Sequence, residues 1–329
     1  MSEPHSATAR AHPNIAFIKY WGNANDNLRL PANASLSMNL EGLYTQTTVS
    51  WFDRPDADSL ILNGQPDTGA AFRRVFNFLN LLRERLNITG SARVESFNNF
   101  PMGAGIASSA SSFAALTLAA VSAAGLQLSE RALSALARLG SGSASRSIPA
   151  GFVEWFTGQT HEESFAESFA PPGHWDIVDV IAVVSSEHKS VISQEGHHSA
   201  NTSDLQAARV AGAPERLAIC KSAILSRDFE QFAEVVERDS NLMHAVMMTS
   251  RPPLFYWLPP TLMVMEQVRR WRADGLKVCY TLDAGPNIHC ICAKDDADQV
   301  RQALSALSGI SEVRVAGAGG AAVLVDVND

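Results

Sequence analysis

The 329-residue chain is 46% hydrophobic and 18% charged, with 34 Asp and Glu against 26 Lys and Arg and a formal net charge of −8. That length admits two domains or one large fold built in two halves, and the apolar fraction supports a sizeable core, which excludes general disorder. An acidic chain with no Lys/Arg run argues against nucleic acid as a partner, so an anionic ligand has to be met by a local site.

In chain order, residues 1–14 show no charged segment leading into an apolar one, so no secretory signal is expected. No run of about 18 uninterrupted apolar residues predicts a membrane span. Four cysteines do not make a disulfide framework, which points to reduced thiols and a cytoplasmic protein. Segment 12–22 (HPNIAFIKYWG) places Lys19 within an apolar strand. The lysines are Lys19, Lys189, Lys221, Lys277 and Lys294 alone, against 21 arginines. A strand lysine either snorkels to an edge or is held beside an anion, and its scarcity here favours the anion.

Strands are expected over 44–52 (YTQTTVSWF) and 92–97 (ARVESF), which are rich in β-branched and aromatic residues. Between them Phe72, Val75, Phe76, Leu79, Leu82 and Leu86 recur at helical spacing, which predicts a helix over 69–86. Segment 100–113 (FPMGAGIASSASSF) then enters an alanine-rich helix over 108–124. Gly103 and Gly105 permit close backbone approach, and Ser108, Ser109, Ser111 and Ser112 supply hydroxyls where the helix begins. That pattern is either a polyphosphate cradle at a helix N-terminus or a glycine turn into a tightly packed helix. It is not a Walker A loop, because no Gly-Lys-Ser/Thr follows.

Ser129 N-caps a further helix to about Leu139. Segment 138–147 (RLGSGSASRS) gathers Ser141, Gly142, Ser143, Ser145 and Arg146: a plain Gly/Ser loop, or a second loop suited to anions, with Arg146 as a planar fork. Buried strands are expected over 150–156 and 177–184. The boundary between an N-terminal lobe (1–190) and a C-terminal lobe (191–329) falls near 185–200. The polar stretch 193–204 carries His197 and His198, which read as solvated.

Helices are predicted over 205–225 and 228–248, and Pro252, Pro253, Pro259 and Pro260 bracket a linker before another over 261–273. A strand (276–282), a turn at Ala284-Gly285-Pro286, a strand (287–293), a helix (296–307) and two closing strands complete an α+β fold. Asp283 (TLDAGPN, 281–287) either caps the turn or stands in a cleft, ready to accept or orient a hydroxyl proton. His289, Cys290 and Cys292 have no paired ligand motif elsewhere and read as buried structural residues. The glycine-rich 317–320 leads into a strand, which weakens it as a phosphate cradle.

Together the segments NIAFIKYWG, LPANASLSMNL (30–40), LNG (62–64), NNFPMGAGIASSAS (98–111), GSGSASRS (140–147), GFVEW (151–155), PPLFY (252–256) and TLDAGPN resemble the mevalonate diphosphate decarboxylase family. That family lies within the small-molecule kinase superfamily that also holds galactokinase, homoserine kinase, mevalonate kinase and phosphomevalonate kinase. The motifs run nearly end to end and in order. The resemblance implies a two-lobed α+β fold with its site in the cleft. It also implies a reaction: ATP phosphorylates the 3-hydroxyl of a phosphorylated mevalonate, and the 3-phosphate then leaves as CO₂ is lost.

On that resemblance Asp283 would orient or deprotonate the 3-hydroxyl, with Lys19 keeping the carboxylate ionised. Arg146 would hold the C1 carboxylate. Gly103, Gly105, Ser108 and Ser109 would cradle the ATP phosphates with Mg²⁺. Asn14, Tyr20, Ser141, Gly142 and Ser143 would bind the substrate, and Ser203 would reach its 5-phosphate end. Metal ligands are not assigned, and a homodimer is expected. The family commonly carries a second lysine after KYWG, where this chain has Asn23. The loss of that cation leans the substrate toward mevalonate 5-phosphate over the 5-diphosphate, unless an arginine such as Arg73, Arg74 or Arg209 replaces it.

Overall fold

The computed structural model describes residues 5–53, 57–100, 108–185 and 193–326. Along Thr45–Phe52 buried and half-exposed side chains alternate, as expected for a strand with one face on a core. It lies inside a six-stranded sheet ordered Val323–Val325, His5–Ala11, Thr45–Phe52, Ser91–Asn98, Ser59–Leu62, Gln65–Asp67. The covered face meets the helix Ser108–Ala123. Its alanines allow close approach, and Trp51 Nε1 donates to the Ala120 carbonyl at 2.9 Å. The helix Ala70–Leu86 adds Phe76, Phe78, Leu79 and Leu82 to the same core, with Phe78 edge-on to Phe113. Ser129 caps Glu130–Gly140 by accepting the Ala132 N–H, as its sequence predicts.

A second sheet runs Ala166–Ala170, Phe152–Trp155, Ser35–Asn39, Asn14–Ile18. Asn14–Ile18 is buried along its whole length, so it reads as an apolar run instead of an alternation. Ile15, Phe17 and Ile18 pack on the helices Ala213–Ser226 and Phe229–Thr249, with Phe17 edge-on to Phe232 at 4.9 Å. Each such burial contributes about 1.5–3 kcal/mol. A third sheet runs Val278–Thr281, Ile288–Ala293, Ile177–Val183, Glu312–Ala316, backed by the helices Pro259–Ala273 and Ala297–Ser305.

Three features go beyond the sequence reading, and the first has a local cause. The helix expected over 205–225 breaks at Gly212 into Gln206–Ala211 and Ala213–Ser226, because Pro214 opens the second helix and has no N–H to extend the first. The polar stretch after residue 193 is a short helix, Ser193–Ser199, followed by a 3-10 turn, Ala200–Thr202. The closing strand Val323–Val325 pairs antiparallel with His5–Ala11 (Thr8 opposite Val325), so both ends of the chain share the N-terminal sheet. Among the described residues no helix is long and apolar enough to cross a membrane.

Candidate active site

The strand Asn14–Ile18 ends immediately before Lys19, whose side chain is 1% exposed. Its Nζ donates to Asp283 Oδ1 at 2.8 Å, and the Asp283 side chain is 26% exposed. Burial lowers the lysine's pKa below its ordinary 10.5, against the opposing pull of Asp283. The Lys19 backbone N–H donates to Asp239 Oδ2 at 2.6 Å, and the buried Asp239 takes Arg216 Nε on Oδ1 at 2.7 Å. Asp283 follows the strand Val278–Thr281, and its carbonyl closes the turn by accepting the Gly285 N–H at 2.8 Å. The backbone therefore makes the turn, while the carboxylate meets Lys19.

Arg146 is buried on the 3-10 segment Gly142–Ser147. Its Nε and Nη2 donate to Asn14 Oδ1 at 3.3 and 3.2 Å, and its Nη1 donates to Ser35 Oγ at 2.7 Å. Asn14 is fixed in turn by donating to the Ser143 carbonyl at 3.1 Å and to Ser147 Oγ at 2.7 Å. Burial lowers the guanidinium's pKa to about 10, so it is charged at neutral pH. No carboxylate of the described residues lies within ion-pair distance of it. Of its five N–H groups three are held by neutral partners, which leaves capacity for an anion.

Tyr20 ties the two Gly/Ser segments to this centre. A Cβ added at Gly142 would sit 2.5 Å from Tyr20 Cε1, so only glycine allows this approach of loop and ring. The phenol donates to Asn23 Oδ1, and its ring stacks on His197 with centroids 4.1 Å apart. Ser109 Oγ lies 3.2 Å from Ser141 Oγ, joining the start of the helix Ser108–Ala123 to the end of Glu130–Gly140. Ser108 stands at the first position of that helix. Gly103 and Gly105 lie outside the described residues.

Three further arginines lie near these residues: Arg29 by Tyr20, Arg74 by Arg29 and Arg209 by Trp21. Arg29 is the last of the four residues between the paired strands Asn23–Asn25 and Leu30–Pro31 and adopts a left-handed backbone, φ 48°. Arg74 lies over the Phe113 ring at 4.8 Å, and its buried Nε has no hydrogen-bond partner among the described residues. Burial, followed by the like charge of Arg29, lowers the Arg74 pKa to about 10. Arg209 holds the Trp21 carbonyl and Asn33 through Nη2 at 2.6 and 2.9 Å, and its buried Nη1 has no partner among the described residues.

The structure thus brings together Lys19, Asp283, Asn14, Arg146, Tyr20, Gly142, Ser143, Ser141 and Ser109. It does not bring the Ser203 hydroxyl to them: that group lies 2.6 Å from Thr249 Oγ1 and accepts the Leu205 N–H. His197 is half-buried instead of solvated. Its Nδ1 accepts the Gly22 N–H at 3.0 Å between the Tyr20 and Trp21 rings, and burial holds its pKa at about 3, whereas His198 is exposed beside Asp26. Cys290 and Cys292 are buried, and His289 Nδ1 sits 2.6 Å from Asp179 Oδ2. The glycine-rich 317–320 is pinned to the N-terminal sheets, with the Gly319 N–H on the Asn39 carbonyl at 2.8 Å. Sequence reasoning missed Asp239, Ser35 and Ser147. Ser35 and Ser147 stand inside quoted motifs but show no role until Arg146 and Asn14 reach them across more than a hundred residues, and Asp239 stands in no motif at all.

Residues 11–166 match the family described as the diphosphomevalonate decarboxylase-like N-terminal domain, and residues 179–317 match the mevalonate 5-diphosphate decarboxylase C-terminal domain. The chain is 41% identical over 327 residues to diphosphomevalonate decarboxylase of Aspergillus fumigatus, covering 93% of this chain and 81% of that protein. It is 37% identical over 302 residues to the enzyme of that name from Rattus norvegicus, covering 85% and 75%. Among solved structures, one described as MDDEF in complex with MVAPP, AMPPCP and magnesium superposes with a TM-score of 0.92 at 38% identity, covering 98% of this chain and 99% of that one. Mevalonate diphosphate decarboxylase from Staphylococcus aureus superposes with a TM-score of 0.92 at 36% identity, covering 98% of both chains.

Proposed function

The chain belongs to the diphosphomevalonate decarboxylase family, and from that premise we propose that it converts mevalonate 5-diphosphate and ATP to isopentenyl diphosphate, CO₂, ADP and phosphate. It is an ATP-dependent decarboxylase of the mevalonate pathway. The observation that carries the assignment is Arg146: a buried cation, paired with no carboxylate of the described residues, next to the Lys19–Asp283 pair.

In this reading the substrate's C1 carboxylate takes the open N–H groups of Arg146. Its 3-hydroxyl meets Asp283, which orients it and accepts its proton as the new O–P bond forms. Lys19 holds the carboxylate and balances charge during transfer. Ser108 and Ser109 lie where the phosphates of ATP would meet the start of a helix. The C3–O bond to the phosphate then breaks, C1–C2 breaks to release CO₂, and that electron pair closes the C2=C3 double bond. The donor set fits Mg²⁺ carried on ATP: the described residues hold no cluster of three His, Cys, Asp or Glu, while hydroxyls such as Ser109 are at hand. When bound, the ion neutralises charge on the phosphate oxygens.

The lean toward the monophosphate drawn from Asn23 finds no support among the relatives, which are named for the diphosphate. Arg29 and Arg74 offer the missing positive charge from another place in the chain. The test supplies Mg-ATP with mevalonate, its 5-phosphate or its 5-diphosphate and measures ADP, phosphate and CO₂. The expected result is the highest kcat/KM for the diphosphate. A higher value for the monophosphate reverses the substrate assignment, and a phosphorylated product without CO₂ overturns decarboxylation.

A further inference from the structure

Lys19 and Asp283 are carried by different sheets. Lys19 follows Asn14–Ile18, an edge strand of the second sheet, and Asp283 follows Val278–Thr281, an edge strand of the third. Among the described residues no ladder of backbone hydrogen bonds joins these two edges, and Thr281 Oγ1 reaches the Ala16 carbonyl only at 3.4 Å. The alignment of the Lys19–Asp283 pair therefore has to come from a third element.

An edge strand leaves backbone N–H groups with no neighbouring strand to accept them. Here the helix Phe229–Thr249 accepts them with side chains. Glu237 Oε1 takes the Tyr280 N–H at 3.2 Å and Ser240 Oγ takes the Leu282 N–H at 3.0 Å, so residues three apart on the helix meet residues two apart on the strand. Asp239, between them in the chain, turns to the other sheet, where its Oδ2 accepts the Lys19 N–H at 2.6 Å. Adjacent side chains thus hold the backbone of Lys19 and of the residue before Asp283. Both Asp239 and Ser240 are fully buried. Asp239 Oδ1 takes Arg216 Nε at 2.7 Å, and Arg216 Nη2 donates to the Arg209 carbonyl at 2.7 Å, so the carboxylate is fixed at both oxygens. A neutral oxygen would satisfy the Lys19 N–H. A buried ion pair adds little net stability after desolvation, so the Asp239–Arg216 pair is better explained by the position it enforces.

We propose that Asp239 and Ser240 are positioning residues for the reaction: they register the strand end carrying Lys19 against the strand end carrying Asp283, so that the carboxylate meets both the lysine and the substrate hydroxyl. Both act through the backbone of the segments they hold. A displacement of about 1 Å at a reacting group costs about a hundredfold in rate, which gives such a register its value. The inference rests on the reading of Asp283 as the group that orients the 3-hydroxyl.

The test compares Asp239→Asn, which keeps the shape and loses one acceptor oxygen, with Ser240→Ala, which loses the acceptor for the Leu282 N–H. Ser240→Ala carries the test by itself if Asp239→Asn, with Arg216 left buried and unpaired, does not fold. ADP formation is followed in single turnovers with saturating Mg-ATP and enzyme in excess over mevalonate 5-diphosphate. Under these conditions a smaller folded fraction does not change the rate constant. The rate constant should fall about 10-fold in Ser240→Ala and about 10- to 100-fold in Asp239→Asn, with Kd for both ligands near wild type. Glu237→Gln loses the ion pair to Arg272 on the same helix but keeps an acceptor for the Tyr280 N–H, and it should lower the melting temperature at an unchanged rate constant. A wild-type rate constant in either folded variant, a loss confined to Kd, or Glu237→Gln as slow as Ser240→Ala would overturn the proposal. Asp283→Asn is measured in parallel. If it retains turnover, the reading of Asp283 fails; if it is inactive while Ser240→Ala runs at the wild-type rate, the positioning role alone fails.

Discussion

Lys19 Nζ donates to Asp283 Oδ1 at 2.8 Å, with the lysine end of the pair sealed from solvent at 1% exposure and the carboxylate end open at 26%. The pair is therefore asymmetric: the cation is an internal fixture, and the anion is the part a substrate can touch. Asp283→Asn is nearly isosteric but removes the charge and the proton acceptor. Turnover is expected to fall by about 10²–10⁴ while the Kd for Mg-ATP changes little. Single-turnover CO₂ release and nucleotide titration check both parts, and a variant that still turns over rapidly removes Asp283 from the chemistry.

Arg146→Gln removes a buried cation and leaves Asn14 Oδ1 and Ser35 Oγ to find new partners. A charge-assisted contact is worth about 1.5–3 kcal/mol, so substrate KM should rise about 10- to 150-fold. Arg146→Lys should rescue little, because an ammonium cannot span Asn14, Ser35 and a carboxylate with one planar fork. Equal activity in the lysine variant would show that charge alone suffices.

Arg29 and Arg74 compete as like charges, and Arg74 holds a buried Nε with no partner among the described residues. An anion between them would relieve that repulsion. Arg74→Gln and Arg29→Gln should therefore lower kcat/KM for the 5-diphosphate more than for the 5-phosphate, by about tenfold each. The ratio of the two kcat/KM values in each variant is the measurement. An unchanged ratio means that neither side chain reads the terminal phosphate.

Gly142→Ala places a methyl group where Tyr20 Cε1 now sits 2.5 Å away. Either the Gly142–Ser147 segment or the Tyr20 ring must shift, and both adjoin the Arg146 cluster. Substrate binding should weaken at least tenfold, with a stability loss of about 1–3 kcal/mol from overpacking. Isothermal titration and chemical denaturation separate the two effects.

His244 has a pH signature in stability. Its pKa is about 3 in the folded protein against an ordinary value of 6.5, so the unfolded chain binds the proton more readily. The contribution of its neutral ring is fully present above pH 6.5 and is lost as the pH falls toward 3. His244→Phe does not titrate there. The gap between the wild-type and His244→Phe melting temperatures should shift steadily against wild type on acidification from pH 6.5. A gap that stays constant would mean the ring is not buried as a neutral base.

The amphipathic spacing behind Ala70–Leu86, the alternation in Thr45–Phe52 and the Ser129 cap were legible because each depends on residues within one or two turns of chain. The ordered motifs carried the family in the same way, as local strings, and singled out Lys19, Arg146 and Asp283 as candidates. What the string cannot hold is distance across the fold. Asp239 reaches Lys19 over 220 residues and Asn14 reaches Arg146 over 132. Ser240 looks like any helix residue until the helix is laid against Leu282. His197 looked solvated until Tyr20 and Trp21 closed around it. The sequence alone determined which groups can do the chemistry, because reactivity is a property of residue type. Tertiary structure decided which of them are buried, paired or left open, because burial and Coulomb attraction depend on neighbours that only folding supplies.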